Sequence, residues 1–152
     1  MGKYFTLNEL TRSATATRKG INNSPSALIK SNLEAIIEKV LDPLREKWGK
    51  PIIVTSGYRC PKLNTIIGGA SGSQHMKGEA VDIRTATDTR DENMKLLKIL
   101  LKSDIVYDQV ISEYVDAQGR PDWIHISYKK NGGNRMKKTT CLNGKYTSGI
   151  RI

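Results

Sequence analysis

The chain has 152 residues, enough for one domain with its own core, and 38% apolar with 26% charged residues is the balance of an ordinary globular protein. No apolar run nears the ~20 residues that span a bilayer, which excludes membrane insertion as a helix. Twenty-five Lys and Arg against 15 Asp and Glu give a net charge of +10, which either favours a polyanionic partner (nucleic acid, anionic lipid, acidic cell-wall polymer) or simply serves solubility.

The first residues hold no apolar stretch followed by a small-residue cleavage site, so no signal peptide is expected. Synthesis in a cytoplasm, and residence there until another device releases the protein, follows from that expectation. Thr6-Leu7-Asn8-Glu9 has capping-box spacing and predicts a short helix to about residue 13, and 14–23 then reads as a polar connection. Ser24-Pro25 supplies a capping serine and a proline for the first helical position. Beyond it Leu28, Ile29, Leu33, Ile36, Ile37, Val40, Leu41, Leu44 and Trp48 form one apolar stripe at helical spacing, stopped by Gly49. Pro43 should bend or split that helix.

Ile52-Ile53-Val54-Thr55 reads as a buried strand, and 61–67 as a brief helix closed by Gly68-Gly69. The Gly- and Ser-rich stretch 70–78 is a loop, 80–83 alternates like a strand, and 90–102 is an amphipathic helix. Segments 109–114 and 123–128 look like neighbouring strands. The remaining residues, 129–152, form a basic, glycine-rich extension of the domain over 1–128, with a hairpin around Asn143-Gly144. Helices first, then strands with one helix inserted, argue an α+β fold. Cys60 and Cys141 are too few and too far apart for a metal knuckle or a disulfide framework and read as free thiols.

The chain has only two histidines, and each lies in a segment suited to a metal site. His75 precedes Asp82 by seven residues across Gly78, close enough for a loop to fold back on a strand. His125 shares one face of its strand with Trp123 and Ser127. Two imidazoles and a carboxylate are a standard ligand set of catalytic zinc that leaves a fourth position open. Asp122, at the strand entrance, offers a carboxylate near the metal to move a proton between water and a leaving amine. Arg59, after the first strand, offers a fixed cation where an oxyanion would form. Each residue also has a plainer role. Asp82 could be a structural hydrogen-bonding residue, Asp122 a turn aspartate and Arg59 a surface charge.

Taken together, Ser56-Gly57-Tyr58-Arg59, Asn64, Gly68-Gly69, Ser73-x-His75-x-x-Gly78-x-Ala80-x-Asp82 and Asp122-x-x-His125 resemble the zinc D-alanyl-D-alanine carboxypeptidases. That family also holds phage L-alanyl-D-glutamate endolysins and D-alanyl-D-alanine dipeptidases. The resemblance runs from about Phe5 to Ser127, and the last 25 or so residues carry no matching motif. It implies one zinc ion held by His75, Asp82 and His125, with Asp122 as general base and Arg59 on the substrate carbonyl or carboxylate. It further implies Ser73 as a substrate contact, with Gln74 and Tyr58 beside it. The implied fold is a small α+β domain whose central antiparallel sheet carries the metal between flanking helices, related to the hedgehog signalling domain.

The resulting expectation is a monomeric zinc peptidase that cuts peptidoglycan peptides, made without a signal peptide and drawn to an anionic wall as a phage or prophage endolysin. The alternative keeps the fold without catalysis, as a wall-binding or virion structural module that uses zinc for stability. A nucleic-acid-binding role rests on charge alone, because the chain lacks interleaved basic and aromatic residues and a helix-turn-helix glycine signal. The basic tail could anchor the protein to wall polymers or be a solvated hairpin.

Overall fold

Strand side chains alternate between two faces, and here the alternation sets an apolar face against a polar one. The computed structural model describes residues 2–152. Among these, six strands make one sheet: β1 (Ile52–Ser56), β2 (Ala80–Thr85), β3 (Gln109–Glu113), β4 (Trp123–Ser127), β5 (Lys137–Leu142) and β6 (Lys145–Ser148). Their order is β1-β2-β4-β3-β5-β6, antiparallel throughout except where β5 runs parallel to β3. The fold is α+β, with a mixed sheet whose antiparallel part contains β2, β4 and β3. Val81, Ile83, Val110, Ile124 and Ile126 bury completely on one face. Asp82, Ile111, Glu113, Trp123 and His125 occupy the other and line an open cleft.

The helices are α1 (Leu7–Thr11), α2 (Ala14–Lys19), α3 (Ala27–Ile36), α4 (Asp42–Trp48), α5 (Pro61–Ile67) and α6 (Arg90–Lys102). Of these, α1, α3, α4 and α6 contribute to the core on the apolar face, while Ile67 at the end of α5 lines the cleft. Leu33 and Ile36 of α3, Leu44 of α4 and Leu96, Leu97 and Leu100 of α6 join the sheet residues in one core. Burying each such side chain stabilises the fold by roughly 1.5–3 kcal/mol. The capping box at Thr6 and Glu9 opens α1 as the spacing predicts.

Pro43 divides the long stripe as expected. A widened π turn over Ile37–Leu41 joins α3 to α4, and Pro43 falls in the first turn of α4. Proline has no N–H for the carbonyl four residues back, and its ring crowds that carbonyl. One extra residue in the preceding turn relieves both problems.

Two segments depart from expectation. Residues 14–19 are helical rather than a polar connection: Ser13 Oγ accepts the Ala16 N–H at 3.2 Å, and Gly20 ends α2 in the left-handed region. Only Ala16 of this helix is buried, so no apolar stripe marks it. The next helix starts after Ser26, whose Oγ accepts from the Ile29 N–H at 3.3 Å, not after Ser24. Ser24 is engaged instead with Asn22, and Pro25 precedes the cap.

The hairpin at the C-terminal end turns at Asn143-Gly144, where both φ angles are positive, as a tight two-residue turn requires. Its first strand extends the sheet beside β3, so residues 137–148 share the cleft-bearing sheet. No helix among the described residues is long and apolar enough to cross a membrane.

Candidate metal centre and its cleft

Register assembles the centre. Asp82 on β2 stands directly opposite His125 on β4, and both point into the cleft. His75 arrives from the loop before β2 on a single 3₁₀ turn, Gln74–Lys77. Ser73 caps that turn, its Oγ accepting the His75 N–H at 3.2 Å. Gly78 ends it with φ +70°, where an added Cβ would also press on Ile29. The chain can therefore double back and lay His75 over the strand pair.

His75 Nε2 lies 3.4 Å from Asp82 Oδ2, and His125 Nδ1 lies 3.0 Å from Asp82 Oδ1. The two rings meet edge to face with centroids 5.1 Å apart. One donor atom from each of the three residues falls within 4.8 Å of the others. The Nδ1 of His75 is 2.7 Å from the Gly57 carbonyl. A carbonyl only accepts, so Nδ1 carries the proton and Nε2 keeps its lone pair for the centre. Gly57 is required there because a Cβ would overlap the Leu10 carbonyl of α1. Burial pushes the Asp82 carboxyl up, but the two imidazoles against it outweigh that and hold the group below its usual range. Two imidazoles and a carboxylate held ionised, with the outer nitrogen of His75 already anchored, suit a zinc ion.

Arg59 reaches the same cleft from the end of β1. Its backbone N–H donates to the His75 carbonyl at 3.1 Å and its Nη2 to Ser73 Oγ at 3.4 Å, while its buried Nε has no partner among the described residues. Desolvation lowers the pKa of its guanidinium, and the nearby charge of Asp82 opposes that shift. Ser73 and Gln74 line the cleft as well, with Gln74 Nε2 donating to Asp108 Oδ2 at 3.2 Å. Tyr58 does not. It is only 8% exposed and packs into the apolar core, because it follows Gly57 on the face turned towards α1.

Asp122 is not in the cleft either. Its side chain is exposed, its backbone N–H donates to the Glu113 carbonyl and its own carbonyl accepts from Asn93. Asp122 lies in the bend before β4 rather than on the strand, so the register that aims Trp123 and His125 at the cleft does not extend to it.

The carboxyl beside the centre belongs to Glu113, which the sequence reading missed. It sits at the end of β3 opposite Trp123, is 6% exposed and lines the cleft. Burial raises its pKa to about 7, with His125 pulling it down and Asp82 pushing it up. Tyr146 of the terminal hairpin lies 3.5 Å from its Oε1. A usable signal was present in the pattern, since Gln109, Ile111 and Glu113 share one face of β3. Only the β3–β4 register shows that this face is the one bearing His125. Tyr114 and Trp123 stack at 5.2 Å beside it. The whole cleft encloses about 960 Å³.

A group of two histidines and one carboxylate, in one cleft with a buried carboxyl and a half-buried arginine, is an arrangement suited to metal-assisted hydrolysis. The family model of Peptidase M15 matches residues 3–127, and the chain belongs to that family of zinc-dependent metallopeptidases. A comparison with curated proteins finds no significant match.

Proposed function

We propose that the protein is a zinc peptidase that hydrolyses peptide bonds in peptidoglycan stem peptides, of the D-Ala-D-Ala carboxypeptidase or L-Ala-D-Glu endopeptidase type, and serves as a phage or prophage wall lysin. The observation that carries the catalytic reading is Glu113, a buried carboxyl with pKa near 7 in the same cleft as His75, Asp82 and His125. The open cleft gives room to an extended peptide, and the net charge of +10 supports attraction to an anionic wall.

His75, Asp82 and His125 would hold a zinc ion, which would supply a Lewis acid for the scissile carbonyl and for water. Glu113 takes the proton from the attacking water and delivers it to the leaving amine, a task suited to a group titrating near neutrality. Arg59 offers its unpartnered Nε to the oxygen on which negative charge develops. The Gly57 carbonyl keeps His75 in its tautomer, and Ser73 steadies both His75 and Arg59.

Digestion of purified peptidoglycan, with and without a chelator, tests this reading. Chelator-sensitive release of peptides, with new ends identified by mass spectrometry, is expected and names the bond cut. Failure to release fragments from several wall chemotypes, with zinc bound, would leave a non-catalytic wall-binding module.

A further inference from the structure

The terminal segment that lies outside the family-matched residues builds one wall of the cleft, and this wall is cationic. β5 runs beside β3 with Lys137 level with Gln109 and Thr139 level with Ile111. Ile111 is in turn level with His125, which is level with Asp82. The sheet therefore presents rows across the cleft, and Lys137 stands one row along from the metal-ligand row. At ~4.8 Å between strands and ~3.3 Å per residue, its Cα is about 12 Å from that of His125. Glu113 stands one row along in the other direction.

The cations here are held by a frame. Asp108 is completely buried and grips Arg135 three times: Nε to Oδ1 at 3.0 Å, Nη2 to Oδ2 at 2.9 Å and the backbone N–H to Oδ1 at 3.1 Å. Lys129 Nζ lies 3.8 Å from the same carboxylate, and Gln74 ties it to the loop that carries His75. Asp108 is thus spent on orienting its neighbours. Among the described residues, Arg135 Nη1 has no hydrogen-bond partner and Lys137 Nζ has no acidic one, and both side chains line the cleft. A guanidinium fixed by Asp108 and an ammonium group without an acidic partner, lining the same cleft two residues apart, suit recognition of a carboxylate.

We propose that this end of the cleft is a carboxylate subsite, in which Arg135 and Lys137 bind an acidic group of the peptide substrate about three residues, at ~3.4 Å each, from the bond that is cut. The inference rests on the peptidase reading above and adds a specificity to it: free acids are preferred over amidated peptides. The family-matched residues hold the reacting centre, and the terminal hairpin selects what reaches it.

The test is equilibrium binding to the zinc-loaded Glu113→Gln protein, which holds substrate without turning it over, followed by NMR. The probes are the pentapeptide L-Ala-γ-D-Glu-L-Lys-D-Ala-D-Ala and the same peptide with its carboxylates amidated. The acid form should bind at least tenfold tighter and shift the backbone amides of residues 135–137. Adding Lys137→Gln, a change at an exposed side chain that leaves the Asp108 frame intact, should shrink the preference to under threefold. Equal binding of the two peptides, or a preference that survives Lys137→Gln, overturns the subsite. Binding of neither peptide overturns the substrate reading beneath it and the subsite with it.

Discussion

A carboxyl group titrates where its surroundings put it, and Glu113 is the group that sets the pH dependence of this site. Burial lifts it to about 7, and a divalent cation at the neighbouring ligands favours its charged form. As a base it works only when deprotonated. The acid limb of kcat/KM in the zinc-loaded enzyme should therefore lie at or below pH 7, which a pH–rate profile measures. A rate that falls as pH rises towards 7 would contradict this sign. Arg59 makes a second expectation. Arg59→Ala should lower kcat by about 10²-fold or more while urea unfolding changes little, because its contribution is to the developing oxyanion. An unchanged kcat would remove Arg59 from the chemistry.

At the same scale, His75 and His125 were legible because the chain has only two histidines, and Asp82 because it follows His75 at a spacing that a loop folding back on a strand can close. Glu113 and Asp122 were not separable that way. Proximity in sequence to His125 favoured Asp122, while only the β3–β4 register shows that Glu113 faces the cleft. Tyr58 fails for a related reason, as one step along the chain from Gly57 turns it into the core.

Elements read well wherever one physical signal dominated. The alternating strands, the amphipathic α6 and the proline-split stripe of α3 and α4 fall where their patterns place them. The short α2 escaped because it buries a single alanine and is written only in its caps, Ser13 and Gly20. The parallel docking of β5 on β3 escaped because hairpin signals fix a turn but not its neighbour in the sheet. The junction of β1 with α1 is the element-scale feature most tightly bound to function. There the Gly57 carbonyl orients His75 while its Cα passes against Leu10. Gly57→Ala should cost about 1–3 kcal/mol in urea unfolding through overpacking. It should also weaken zinc affinity by about tenfold or more, read by competition with a chromogenic chelator, because it disturbs the outer anchor of a ligand. Stability and affinity both unchanged would contradict the role given to this contact.

Across the whole molecule, one apolar face makes the core and one polar face makes the cleft, and the terminal hairpin lines part of that cleft. The hairpin is pinned through Asp108, whose pKa the Arg135 guanidinium lowers from 3.8 to about 2. A depressed carboxylate contributes stability above its unfolded pKa and loses it as pH falls through the folded one. The contribution of this group should therefore be present at neutral pH and be lost as pH falls from ~4 to ~2. Arg135→Gln should accordingly destabilise the protein at pH 7 and make little difference near pH 2, as urea unfolding at the two values would show. A penalty equal at both would mean that the pair holds the tail by packing alone.

The central claim is that the three metal ligands and Glu113 form one hydrolytic centre. Its most direct test is peptidoglycan turnover by zinc-loaded Glu113→Gln measured beside Asp122→Asn, with zinc content determined in both. The account predicts one zinc per chain in each variant, a loss of at least ~10²-fold for Glu113→Gln and a change within about threefold for Asp122→Asn. Near-normal turnover by Glu113→Gln, or a collapse confined to Asp122→Asn, would contradict it.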